Sequence, residues 1–229
     1  VNLHPPEPGY LEGVRILADQ YGALLVFDEV ITGFRYAPGG AQEYFGVMPD
    51  LCAMGKGLAN GFPLSIVAGT REAMRAFDEI FFSFTFAGET VALRAAMTTL
   101  DVMQRDGYWS HVWRLGARLQ ESYNEIAGEL ELSDVTWCGG LPPWTIVTFS
   151  DHRQWPALAL KTLVQQEMLR RGILFSGSQF LSLAHGDAEI AATIEAYREA
   201  LRVLRHALDV DGVATALVGR VNEEIFRRG

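Results

Sequence analysis

Tyr10-Leu-Glu-Gly-Val-Arg-Ile-Leu-Ala-Asp-Gln-Tyr-Gly-Ala-Leu-Leu-Val-Phe-Asp-Glu29 carries the change of periodicity that decides the fold. Over Tyr10 to Tyr21, the residues Leu11, Val14, Leu17, Ala18 and Tyr21 fall three and four apart, the spacing of one helix face. Gly22 ends that helix. Ala23-Leu-Leu-Val-Phe27 is then a continuous apolar run of strand length, the pattern of a parallel strand covered on both faces. Helix, short glycine turn and buried strand form the αβ half of a doubly wound unit, so the expected class is α/β. Asp28 and Glu29 stand at the strand's carboxyl end, where open parallel sheets bind their ligands.

Outward from this unit, Thr32 to Gly40 reads as a loop and Asp50 to Met54 as a second short strand. That strand delivers Lys56, which lies between Gly55 and Gly57 and 28 residues after Asp28. Leu64 to Ala68 is a third strand and Arg71 to Asp78 a short helix. A turn-rich aromatic stretch, Phe81-Phe-Ser-Phe-Thr-Phe-Ala-Gly88, leads to long helices at Glu89 to Arg105 and Tyr108 to Leu130. The composition shifts near Asp106-Gly107, which places a domain boundary between 1–106 and 107–229. Beyond it, strands at Asp134 to Cys138 and Trp144 to Phe149 alternate with helices at Ala157 to Arg171 and Asp187 to Leu208. Strand-like pieces fall at Ile173 to Phe175 and Phe180 to Leu183. This βαβ-like mixture reads as a small α+β domain, closed by an amphipathic helix over 213–228.

Composition narrows the function. The chain has 229 residues, 49% of them hydrophobic, enough for a sizeable core. With 28 acidic against 19 basic residues the net charge is -9, which argues against nucleic acid as a partner. Cys52 and Cys138 read as free thiols of a reducing, cytoplasmic compartment. No stretch suits a membrane span, since the longest uncharged run, Val135 to Ser150, is broken by Gly139, Gly140, Pro142 and Pro143. The first residues show no signal-like pattern, and a start at Val1 inside an ongoing pattern suggests a fragment or processed chain.

Asp28 and Lys56 form the most informative pair. A lysine held in flexible backbone can form a Schiff base, and a carboxylate at the mouth of a buried strand can hold a pyridinium nitrogen; together they point to pyridoxal phosphate. Each residue also has a plainer reading. Lys56 could be a solvated turn lysine, and Asp28 could cap the next helix, although Val30-Ile-Thr-Gly-Phe-Arg35 reads as a loop. Rival motifs fall away. A P-loop needs Ser or Thr after Gly-Lys and an earlier glycine, where this chain has Gly57 and Asp50. A dinucleotide fingerprint needs a glycine at Asn60. No Gly-x-Ser-x-Gly elbow occurs, and the five histidines are too scattered for a metal site.

Four ordered blocks carry a family resemblance: Phe27-Asp-Glu-Val-Ile-Thr-Gly-Phe-Arg35, Phe45-Gly-Val-Met-Pro-Asp-Leu51, Gly55-Lys-Gly-Leu-Ala-Asn-Gly-Phe-Pro63 and Thr85-Phe-Ala-Gly-Glu-Thr-Val-Ala-Leu93. They resemble the signature blocks of class III aminotransferases, fold-type-I enzymes that use pyridoxal 5'-phosphate. Gly39-Gly-Ala-Gln-Glu-Tyr-Phe-Gly46 and Ser182-Leu-Ala-His185 are similar to the glutamate-1-semialdehyde 2,1-aminomutase-like branch. The resemblance implies the C-terminal portion of such an enzyme: part of the large PLP-transferase domain, with a mostly parallel sheet and flanking helices, then a small α+β C-terminal domain. By residue, Lys56 matches the Schiff-base lysine and Asp28 the acid on the ring nitrogen. Val30 matches the residue against one face of the ring. Thr85 matches the threonine that reaches the cofactor phosphate of the neighbouring subunit in a homodimer, with the backbone at Phe86 beside it. The implied partners are a small-molecule amino donor and a carbonyl acceptor.

Two departures qualify the match. Glu89-Thr90 stands where the family has Asn-Pro, and Glu89 near a helix N-terminus suits the dipole. The segment from Gly172 to Ser182 lacks the Phe-Glu pair of the aminomutase's substrate gate, which keeps intermolecular amino transfer as the main reading, with the aminomutase or an inactive remnant as alternatives. Val1-Asn-Leu-His-Pro5 resembles the middle of the family, so the phosphate-cradling turn and the stacking aromatic are expected outside this chain. An isolated piece of this kind is expected to be inactive and to associate through open sheet edges. His185 reads as a structural histidine or a site-adjacent one. Arg35 reads as a loop anchor or a contact to a substrate carboxylate. Cys52 and the five tryptophans read as packing residues.

Overall fold

The computed structural model describes residues 4–223 and divides into two compact units, Pro5–His111 and a second from Val112 onward. In the first unit, α1 (Tyr10–Tyr21) ends at Gly22, whose left-handed backbone lets the chain turn at once toward β1 (Val26–Glu29). After α2 (Ala41–Phe45) come β2 (Leu51–Met54), a 3-10 turn (Lys56–Ala59) and β3 (Ile66–Gly69). Then follow α3 (Arg71–Met74), a second 3-10 turn (Arg75–Asp78) and α4 (Thr90–Arg105). The sheet order is β1-β2-β3. β1 and β2 are parallel, with Asp28 opposite Ala53 and Glu29 opposite Met54, whereas β3 returns antiparallel to β2. The core beneath the first 3-10 turn is Leu58, Ala59 and Ala96, with Phe34, Leu64, Ile66, Ala95 and Leu100 packed around it.

The run Ala23 to Phe27 differs from the expectation of a doubly covered strand. Only its end is strand, and Leu24 and Val26 are 63% and 58% exposed. β1 has a neighbour on one side only, and α1 buries none of its residues, so nothing in the described chain covers that face. A continuous apolar run reports the covering a strand needs; it does not supply it.

In the second unit, β4 (Thr136–Leu141), β5 (Trp144–Phe149) and β6 (Ser178–Phe180) form an antiparallel sheet in that order. The βαβ-like expectation is corrected here: α6 (Ala157–Arg170) links β5 to β6, yet the two strands pair antiparallel. Ile173 to Phe175 is not strand, although Phe175 is buried. α5 (Tyr108–Glu129) lies along β4 from Val112 onward, where Asn124 exchanges hydrogen bonds with Cys138 N and O (2.8 and 3.0 Å) and Gln120 donates to Gly140 O (3.1 Å). These amides satisfy backbone groups of an edge strand. With α7 (Asp187–Asp209), the helices bury Leu115, Tyr123, Ile126, Leu160, Leu163, Met168, Leu201 and Leu204. The expected last helix is a single turn, α8 (Val213–Ala216); 217–223 is irregular, and 224–228 lies outside the described residues.

Candidate functional site

The parallel pairing of β1 and β2 sets the site. Both strands point their carboxyl ends the same way, Asp28 sits opposite Ala53, and Lys56 follows three residues later. Asp28 and Lys56 are both exposed, and among the described residues neither joins an ion pair. Asp28 Oδ1 accepts from Val30 N (3.0 Å), a short turn that fixes the carboxyl at the strand end and half-buries Val30. Lys56 lies in the left-handed region at φ 44°, between the extended Gly55 and Gly57. A non-glycine residue held there carries strain, which clusters at functional sites. Its 3-10 turn is held from below by α4, through Ala96 against Leu58 and Ala59.

Glu29, adjacent to Asp28, is the residue that sequence reasoning passed over. It is 1% exposed and wholly engaged. Its Oε2 accepts from Thr32 Oγ1 (2.6 Å) and Ala41 N (2.8 Å), and its Oε1 from Gln42 N (2.9 Å) and Gln42 Nε2 (3.3 Å). Helix capping is therefore present after all, by Glu29 rather than Asp28, and onto a helix twelve residues away. No local pattern signals it, because α2 has only five residues and its cap comes from another element. Next to this cluster, burial pushes the Tyr36 phenol up to about 12.

Thr85 and Phe86 are exposed in the turn before α4. That turn closes through Ala87 N to Phe84 O (3.1 Å) and Glu89 N to Phe86 O (3.1 Å). Glu89 caps α4, accepting from Val91 N (2.9 Å) and Ala92 N (2.6 Å), so the departure from Asn-Pro leaves a well-formed helix start. The structure thus brings Asp28, Val30 and Lys56 to one end of the sheet and leaves Thr85 and Phe86 in a separate turn. In the second unit, His185 Nδ1 turns back onto Ser182 N (3.1 Å), and Cys138 is buried with its thiol pushed up to about 11 by desolvation. Cys52 is buried in β2. Trp109 Nε1 donates to Phe34 O (3.1 Å) and anchors the loop after β1. Among the described residues no three His, Cys, Asp or Glu side chains gather as a metal site would need, and no helix is long and apolar enough to cross a membrane.

Residues 3–185 match the family described as aminotransferase class-III, most of the chain. The chain belongs to the class III aminotransferase family. Two curated relatives are glutamate-1-semialdehyde 2,1-aminomutases, from Syntrophobacter fumaroxidans (38% identical over 208 residues; 83% of this chain, 47% of the relative) and Pelotomaculum thermopropionicum (34% over 210 residues; 86% and 48%). The chain therefore spans about half the length of the curated relatives it matches. Among solved structures, an omega-transaminase from Sphaerobacter thermophilus superposes with a TM-score of 0.81 at 28% identity, covering 89% of this chain and 50% of that one. A transaminase with PLP bound gives 0.82 at 25% identity, covering 89% and 49%. The α/β fold is that of fold-type-I transaminases, in part.

Proposed function

We propose that the protein carrying this chain transfers amino groups with pyridoxal 5'-phosphate, and that Lys56 and Asp28 are its catalytic pair. The carrying observation is the parallel register that sets an exposed lysine and an exposed carboxylate at adjacent strand ends, neither taken up by an ion pair. This donor set fits the cofactor: an amine for its aldehyde and an acid for its ring nitrogen. When bound, pyridoxal phosphate supplies an electron sink for the substrate carbanion. Lys56 Nζ attaches the cofactor and, when free, takes a proton from the substrate carbon and returns one as general base and acid. Asp28 accepts a charge-assisted hydrogen bond from the ring N–H and keeps that nitrogen protonated. Val30 packs against one face of the ring.

In this reading residues 1–106 belong to the cofactor-binding large domain and 107–229 to a small C-terminal domain. Thr85, with the backbone at Phe86, reaches the cofactor phosphate of the second subunit of a homodimer. The substrates are a small amino donor and a carbonyl acceptor, and the location is cytoplasmic. The names of the curated relatives favour a second reading, intramolecular transfer by a glutamate-1-semialdehyde aminomutase, which differs in whether the amino group leaves the site.

The test is borohydride reduction of full-length protein loaded with pyridoxal phosphate, followed by peptide mass spectrometry. The cofactor is expected covalently on Lys56, and Lys56→Ala is expected to lose the label and turnover while keeping weak cofactor binding. Normal transamination by Lys56→Ala would overturn the assignment.

A further inference from the structure

We infer that Glu29 is the positioning residue of this site: its buried carboxyl gathers the loop 30–42 and so fixes Asp28 and Val30. The inference rests on the Asp28–Lys56 reading above.

The geometry is a clamp. The four donors of Thr32, Ala41 and Gln42 occupy both Glu29 oxygens, and Gly33 N donates to the Glu29 carbonyl (2.8 Å). The backbone approaches so closely that two positions admit only glycine. A Cβ on Gly33 would stand 2.7 Å from Glu29 O, and one on Gly40, where φ is 81°, would stand 2.6 Å from Glu29 Oε2. Val30 lies inside this wrapped segment, and its amide is the donor that orients Asp28 Oδ1. Glu29 is also opposite Met54, two residues before Lys56. One side chain therefore ties the turn after β1 and the start of α2 to the strand end that presents the catalytic carboxyl. Glutamine cannot fully replace it: the Thr32 hydroxyl or the Gln42 side-chain amide can turn to accept, but on either side the new amide nitrogen would face a backbone N–H, of Ala41 or of Gln42, that cannot. The cost of leaving buried donors unpaired falls on the loop that carries Val30.

The test uses Glu29→Gln and, as a milder variant that removes one arm only, Thr32→Val, both in the full-length protein. In cofactor-free protein, hydrogen exchange is expected to rise at Ala41 and Gln42 and also at Val30, the amide that Glu29 does not touch. In loaded protein, the Kd for pyridoxal phosphate is expected to rise about tenfold for Glu29→Gln, and the pH at which the bound cofactor's absorbance titrates is expected to shift. Thr32→Val is expected to move each readout part of the way, and it decides the matter alone should Glu29→Gln not fold. Faster exchange confined to Ala41 and Gln42, with Val30 and the absorbance titration as in the wild type, means that Glu29 only caps α2 and overturns the inference. A wild-type protein that takes up no pyridoxal phosphate overturns the cofactor reading instead, and Val30 exchange still decides the clamp.

Discussion

Asp50 joins two segments that frame β1. Its Oδ2 accepts from Leu25 N (2.7 Å) and from Arg15 on α1 (2.8 Å), and these bonds, Leu25 first, hold its carboxyl below the usual carboxylate range. The folded chain therefore binds fewer protons here than the unfolded one in the window between the two pKa values. This contribution to stability is complete above the unfolded value and is lost as pH falls through the folded one. Asp50→Asn is expected to melt earlier in urea near neutrality, with the gap to wild type closing as the pH drops into the acid range. A gap independent of pH would show that the carboxyl charge is not what Leu25 and Arg15 need. Asp28, Lys56 and Thr85 stand out as candidates in the sequence because each sits in a contiguous block. Glu29 does not, because its partners lie three, twelve and thirteen residues away and its burial depends on the path of the loop between them.

Among the elements, the long helices α4 to α7 follow the apolar spacing within a residue or two, since each keeps one face against a core. The short elements are mixed: β2 and β5 lie within a residue of their expected bounds, whereas α2 falls in no expected element. α2 depends on the Glu29 cap, and β3 owes its antiparallel direction to the brief return over 55–65. Gly116 marks where α5 meets the β4–β5 turn: a Cβ there would fall well inside contact distance of Pro142 O. Both partners are backbone and cannot step aside, so Gly116→Ala is expected to cost about 3 kcal/mol, read from urea unfolding with the slope unchanged. A wild-type midpoint would show that the helix slides along β4 freely.

Over the whole molecule, apolar surface concentrates in the first unit. Leu24 and Val26 are exposed on the run into β1, as are Ile16, Leu17 and Tyr21 on α1, and Phe81 is 96% exposed in the aromatic stretch. An edge strand with open backbone groups and an uncovered apolar face is a pairing template. The 229-residue chain expressed alone is expected to self-associate and to show no transamination. Light scattering after size exclusion checks the first, and a monomer at micromolar concentration would show that the exposed face tolerates water. The sequence by itself determined the family and the α/β class of the first unit, and it singled out Lys56 and Asp28 as the proposed pair, because ordered blocks and helical periodicity are local properties of a chain. Only the tertiary structure decided that Glu29 is buried, that β3 and the whole second sheet run antiparallel, and that the run into β1 is left half bare. Each of these depends on which segment lies beside which, and contacts between distant residues leave no periodic trace in the chain.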